Sequence, residues 1–396
     1  MPGRSPTRAI AFLACASFAS LAMVRVSDTL LPQIAADLGT TVGAASIVVT
    51  AYALTHGGVQ LFVGPIGDRV GSYRTVAIAC AAGAFTVLLC GLAPSLPMLA
   101  LARLLSGACA AWIIPMSMAF IGDVTPYERR QQVLGRYLTG GISGLLFGQA
   151  AGGILGDHLG WRAVFFLLAG LFALAAAALV VEMTINPLTR PARHGEARRG
   201  GFAADYRIVF GNRWARLVIL AVLLEALFAF GPLTYVGADL HLRFGLSFTM
   251  VGAIVAAFGA GGLVYVASVK PLVARLGQRG LVTGGGAMLA AAYLMLAAPS
   301  SWWLSPLAVG MIGLGYYMLH NTLQTNATQM TPEARGTAIA VFSSALYLGQ
   351  MIGVALAAPI VDRYGAPVIF VAAAVALPAL GLWFARELKL RAGALS

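Results

Sequence analysis

The amino-acid sequence predicts an all-α polytopic membrane protein of twelve transmembrane helices arranged as two six-helix bundles. Three observations carry the prediction. Of 396 residues, 59% are hydrophobic and only 10% are charged, whereas an ordinary soluble domain carries about 25% charged residues. Apolar runs of roughly 20 residues recur from end to end, and each can cross a hydrocarbon core about 30 Å thick at about 1.5 Å per helical residue. Short motifs also return at a nearly constant offset, so one six-helix plan is used twice. In lipid every backbone amide needs a partner in its own segment or in a closed barrel, and runs without period-2 alternation select helices.

Taken in order, the first half reads as helices near 9–31, 44–64, 75–93, 97–120, 132–156 and 162–184. Arg4 and Arg8 ahead of "AIAFLACASFASLA" have the outline of a cleavable signal peptide. Its removal would leave an odd helix count and break the repeat, so it is read as the first span. "GPIGDRVGSYR" separates helices 2 and 3, "TPYERR" helices 4 and 5, and "DHLGWRAVF" helices 5 and 6. The second half reads as helices near 214–235, 248–269, 281–298, 303–326, 336–360 and 367–385. There "RLGQRG", "TPEARG" and "DRYGAPVIF" repeat the three loops 205 or 206 residues later. Trp302 and Trp303 open helix 10 as interface anchors. The domains are therefore residues 1–185, a polar Arg-rich linker at 186–212 that lacks apolar periodicity, and residues 213–396.

Charge sets the orientation. Of the 26 basic residues, 21 fall on the side of the termini and the linker, three on the other side, and Arg25 and Arg103 within spans. Basic loops stay in the cytoplasm, which places both termini and the linker there, in a bacterial inner membrane. The net charge of +12 lies in loops, and no soluble segment is long enough for a nucleic-acid-binding module. Cys15, Cys80, Cys90 and Cys109 all sit in apolar runs and read as small buried hydrophobes. There is no P-loop, no Cys or His at metal spacing and no partnered Ser nucleophile. The sequence thus argues against an enzyme and an ATP-driven pump, and calls for no cofactor or metal.

Gly64, Asp68, Arg69, Gly71 and Arg74 follow the spacing G-x-x-x-D-R-x-G-x-x-R. This resembles the signature loop between helices 2 and 3 of the major facilitator superfamily, with a degenerate second copy around Arg275 and Gly277. The resemblance covers the whole chain and implies that superfamily's fold, a monomer, and a cytoplasmic clasp that latches the halves when the cavity opens outward. The residue types suit a clasp: Gly64 allows close helix approach, Gly71 a tight turn, Asp68 can accept from a helix amino terminus, and Arg69 and Arg74 can pair with acids or headgroups. A plain topological anchor would need the arginines alone, and neither Asp68 nor the glycines.

Ionisable groups inside spans are functional candidates by default. Arg25 and Asp28 share one face of helix 1, Arg103 lies on helix 4 and Glu225 on helix 7. In the resembled superfamily helices 1, 4, 7 and 10 line a central cavity, which all four side chains would face. Asp28 followed by Pro32 is similar to an acid of twelve-helix drug/proton antiporters, and Arg103 with Gly107 resembles the helix 4 motif R-x-x-x-G assigned to proton coupling. Gly135, Gly144, Gly148, Gly152 and Gly153 match the helix 5 antiporter motif at every glycine, with Gln149 where that motif has proline. "GQMIG" at 349–353 partly echoes it in helix 11.

These matches imply Asp28, Arg103 and Glu225 as proton-coupling residues. Arg25, Asp28, Glu225, His320, Asn321 and Gln324 are expected at the substrate, with Trp112, Phe228, Tyr235, Tyr316 and Tyr317 as aromatic walls. Two readings stay open for Arg25 and Asp28, a permanent structural pair or a working one, and two for His56 and His320, helix-to-helix hydrogen bonder or proton relay. The expected function is proton-coupled export of small amphipathic molecules. The alternative is a proton-linked carrier of an organic anion or small metabolite, favoured by two arginines facing one cavity.

Overall fold

The computed structural model describes residues 6–63, 70–190, 202–298 and 301–395. The first six spans are α1 (Pro6–Asp37), α2 (Val42–Gln60), α3 (Ser72–Leu92), α4 (Leu96–Val124), α5 (Tyr127–Leu159) and α6 (Trp161–Ile185). The second six begin with α7 (Arg213–Phe244). A continuous run Phe248–Ala297 follows, broken at Gly277 by φ 59° and ψ −179°, which yields α8 (248–276) and α9 (278–297). Then come α10 (Ser305–Ala327), α11 (Arg335–Tyr364) and α12 (Pro367–Leu395). Twelve helices in two bundles are the predicted architecture.

Several helices outrun the sequence reading, which ended helix 1 at 31, helix 7 at 235 and helix 12 at 385. Pro32, Pro232 and Pro378 lie inside helices that continue to Asp37, Phe244 and Leu395. A buried proline removes one amide donor, and neighbouring helices can cover the freed carbonyl. At Pro32 the freed carbonyl is that of Asp28, and Gly237 of α7 packs directly against it, where a Cβ would meet the oxygen at 3.1 Å. The region read as linker is not wholly irregular: Pro187–Thr189 forms a 3-10 turn and Phe202–Gly211 a short helix. Tyr206 of that helix donates to the Leu61 carbonyl at 2.7 Å, docking it on the end of α2. Trp302 and Trp303 lie in a 3-10 turn that precedes α10.

The repeat is visible in the backbone. Among the described residues six glycines have positive φ, and they form three pairs: Gly39 and Gly245 at 62° and 66°, Gly71 and Gly277 at 93° and 59°, Gly160 and Gly365 at 81° and 79°. Each pair marks the same turn in the two halves, at a conformation that a Cβ would strain.

Within each half a glycine face seats one helix on another. A Cβ on Gly144 or Gly148 of α5 would run into the Phe18 or Ala22 carbonyl of α1; one on Gly349 or Gly353 of α11 would meet the Leu223 or Leu227 carbonyl of α7. Helices in lipid gain nothing from excluding water from each other, so close van der Waals approach carries the packing. α5 itself runs unbroken through Gln149, without the kink that a proline would give.

Among the described residues the halves touch chiefly along three seams. α5 meets α8 at Gly153 and Gly252, α2 meets α11 at Gly57 and Tyr347, and α1 meets α7 at Asp28 and Gly237. Tyr235 of α7 adds a buried tie between halves: its hydroxyl lies 2.9 Å from both Ser46 Oγ of α2 and the Val354 carbonyl oxygen of α11.

Candidate functional site

Among the described residues, two ion pairs have both side chains largely buried, one in each half. In α1 the i, i+3 spacing puts Arg25 Nη2 2.6 Å from Asp28 Oδ2, with the Asp28 side chain 1% exposed. The Arg25 guanidinium carbon also lies 4.9 Å from the centre of the Phe230 ring, so a first-half cation rests on a second-half aromatic. In the second half Glu225 of α7 and His320 of α10 meet at 2.7 Å, Oε2 to Nδ1. The Glu225 side chain is 0% exposed and that of His320 11%, so the imidazole is the less deeply buried member of the pair.

A row of rings joins the two pairs. Phe230 lies 4.7 Å from Tyr316 between centroids, and Tyr316 stacks on His320 at 4.9 Å and 16°. Phe258 closes the row at 6.2 Å from Phe230 and 5.8 Å from Tyr316. The order Arg25, Phe230, Tyr316, His320, Glu225 therefore leads through contacts from a cation of one half to an acid of the other. Tyr317 extends the row toward Tyr265, whose hydroxyl accepts from Asn321 Nδ2 at 2.7 Å.

Other expected residues lie elsewhere. Arg103 is 0% exposed inside the first half, where its Nε donates to the Val48 carbonyl at 3.0 Å and Nη1 to the Met23 carbonyl at 3.5 Å. Its guanidinium lies over the Tyr52 ring at 4.5 Å and the Phe165 ring at 5.9 Å. Trp112 sits at an interruption of α4, half-buried against the first-half core. Phe228 lines a cleft of about 300 Å³ in the outer wall between α7 and α12, with Leu224, Leu380 and Trp383. Gln324 is exposed, and Tyr235 is the tie between halves already described. His56 of α2 stacks on Tyr347 of α11 at 3.9 Å.

Gly64, Asp68 and Arg69 lie outside the described residues. Gly71 stands at the start of α3 with its positive φ, and Arg74 is exposed one turn on. In the helix 5 motif Gly144, Gly148 and Gly152 seat α5 on α1, Gly153 faces α8, and Gly135 has open space around it. Gln149 is fully buried beside that α8 seam.

Sequence reasoning missed Phe230 and Phe258, because nothing distinguishes these two phenylalanines from the other aromatic residues of the spans. It also gave no role to Asp157 and Asp362, although they open the repeated segments "DHLGWRAVF" and "DRYGAPVIF".

Comparison with known proteins agrees with this architecture. A family model described as Major Facilitator Superfamily matches residues 13–354 and again 244–394. The puromycin resistance protein pur8 of Streptomyces alboniger is 29% identical over 395 residues, covering 84% of this chain and 77% of that protein. The MFS-type transporter YceJ of Bacillus subtilis (strain 168) is 24% identical over 352 residues, covering 86% and 87%. The crystal structure of the nucleoside transporter NupG shares the fold, with a TM-score of 0.74 at 15% identity, covering 96% of this chain and 99% of that one. A twelve-helix repeat with a buried ionic pair inside each bundle, matched over residues 13–354 and 244–394 by one family, makes this chain a multi-pass membrane transporter that belongs to the Major Facilitator Superfamily.

Proposed function

We propose that the protein is a proton-coupled secondary transporter that exports small amphipathic molecules by alternating access. It would lie in a bacterial inner membrane with both termini and the linker in the cytoplasm, working as a monomer without a cofactor. The observation that carries the reading is the Glu225–His320 pair. A fully buried carboxylate whose one hydrogen-bond partner among the described residues is a less deeply buried imidazole can take up and release a proton through that imidazole. Ionisable groups are costly inside a membrane, so those kept there are functional candidates by default. Similarity along most of the chain to a puromycin resistance protein supports export as the direction.

In the proposed cycle Glu225, with Asp28 as the first-half counterpart, binds a proton from outside, cargo leaves, and the proton is discharged inside. Arg103 supports coupling by holding α1 in place. The aromatic row from Phe230 to Tyr317, with Asn321 and Arg25, offers flat apolar faces beside a cation and an acid, which suits amphipathic cargo. Each proton crossing 100 mV supplies about 2.3 kcal/mol.

The test uses everted vesicles holding a proton gradient read by a pH-sensitive dye. Addition of puromycin should dissipate the gradient in vesicles carrying the native protein and leave it standing with Glu225→Gln. Equal dissipation by both proteins would remove Glu225 from the coupling.

The organic-anion carrier has one observation in its favour. Among the described residues, no hydrogen-bond partner reaches the buried Nε of Arg25, and a substrate carboxylate would supply one. A response of the same vesicles to carboxylates and not to puromycin would select this second reading.

A further inference from the structure

The two halves also exchange carboxylates at one mouth of the molecule. Asp157, near the end of α5, accepts the first-turn amides of α8: Phe248 N at Oδ1, 2.8 Å, and Thr249 N at Oδ2, 2.6 Å. Asp362, at the end of α11, accepts at the first turn of α2: Gly43 N at Oδ1, 2.8 Å, and the Thr41 hydroxyl at Oδ2, 2.6 Å. α5 and α2 belong to the first half, α8 and α11 to the second. Each half therefore gives one carboxylate and receives one.

The two contacts are copies of each other. Asp157 and Asp362 stand at the same place in the repeat, 205 residues apart, and the receiving turns are equivalent as well. Thr41 and Ser247 each cap their helix with a side-chain oxygen, accepting from Ala44 N and Met250 N. The first amides of a helix lack intrahelical acceptors and carry its positive dipole end, so an anion suits them without any basic side chain. Behind each carboxylate the backbones touch: Gly153 is pressed on the Phe248 carbonyl, and Gly43 on the Ala358 carbonyl and the Asp362 side chain.

Both aspartates are exposed, so water replaces their partners when the halves part, and the contact can reform. We infer that Asp157 and Asp362 are a symmetric pair of latches that holds this mouth shut, and that release of both is the step of the transport cycle that opens it. Neither residue touches cargo; both act by positioning the bundles. By the charge rule this is the mouth away from the linker, so the latches are made when the predicted cytoplasmic clasp is open. The inference needs only that the halves separate here, and it stands or falls independently of the proton and the cargo.

The test is a distance measurement on the full-length protein in lipid nanodiscs. Spin labels go on Leu159→Cys in the first half and Leu242→Cys in the second, 68% and 66% exposed at this mouth, with the four native cysteines replaced by alanine. Asp157→Asn and Asp362→Asn should each raise the ratio of open to closed mouth by about tenfold, because an amide keeps one acceptor but loses the charge. The double variant should raise it by about the product of the two, since the sites share no partner. Asp37→Asn is the control: Asp37 lies at the same end but pairs with Arg162 and Trp161 of its own half, and its loss should leave the distances unchanged. A double variant with the parent's distance distribution would overturn the inference. So would an Asp37→Asn variant that opens the mouth as far as Asp157→Asn does. Should the double variant fail to fold, the two single variants decide alone, each with one latch intact.

Discussion

His320 Nδ1 lies 2.7 Å from Glu225 Oε2 and ties α10 to α7 in the interior of the second half. Glu225→Gln leaves an acceptor oxygen at the same place, so His320 keeps a partner while the proton-binding group is lost. Stability should change by no more than about 1 kcal/mol, and puromycin-driven proton movement should fall to the level of empty vesicles. His320→Ala instead strands a buried carboxylate and should destabilise the protein by about 1–3 kcal/mol. Thermal unfolding in detergent, read beside transport, separates the two effects.

Arg25 and Asp28 pair within one turn of α1, and a double-mutant cycle decides between a fixed pair and a working one. Removing either partner alone leaves an unpaired buried charge, for which about 3–5 kcal/mol of destabilisation is expected. Arg25→Gln with Asp28→Asn should recover most of that loss, because neither charge remains. If Asp28 also serves in coupling, the stable double variant still fails to move protons. A double variant that transports like the native protein would assign the pair to structure alone.

The glycines of α5 and α11 give a prediction that needs no transport assay. A methyl group on Gly148 meets the Ala22 carbonyl and one on Gly353 meets the Leu227 carbonyl, whereas Gly135 has free space. Gly148→Ala and Gly353→Ala should each destabilise by about 1–3 kcal/mol through overpacking. Gly135→Ala should stay within about 0.5 kcal/mol of the native protein. Equal behaviour of Gly135 and Gly148 would mean that the motif is not a packing face.

The sequence was most legible where one physical cause acts alone. Apolar length located the spans, and the repeated motifs located the equivalent turns that carry positive φ at Gly71 and Gly277. Helix ends were less legible: helix 1 is read as stopping at Pro32, although a neighbouring helix covers the freed carbonyl and α1 continues to Asp37. In the interior, residue type and span suffice to single out Glu225 and Asp28, since ionisable groups are rare there. Which group each one meets depends on how α7 turns against α10 and α1, and no local pattern encodes that rotation. Phe228 and Phe230 illustrate the limit. Two residues apart on α7, they point to the outer wall and to Arg25 respectively, and only packing tells them apart.

Arg103 tests whether a residue remote from the ionic pairs acts on them through the backbone. Its guanidinium reaches the Val48 carbonyl of α2 and the Met23 carbonyl of α1, and Met23 is two residues from Arg25. Lysine carries the same charge at a single point and cannot span both carbonyls in the plane between Tyr52 and Phe165. Arg103→Lys should therefore lose one of the two hydrogen bonds, about 1–3 kcal/mol of stability. The turn of α1 that presents Arg25 and Asp28 is then held less firmly, so proton movement per folded molecule should fall as well. Transport that declines only in proportion to the amount of folded protein would confine Arg103 to the framework of the first half. A loss beyond that proportion, with Arg25 and Asp28 unchanged in sequence, would mean that the bond to the Met23 carbonyl sets where the pair stands.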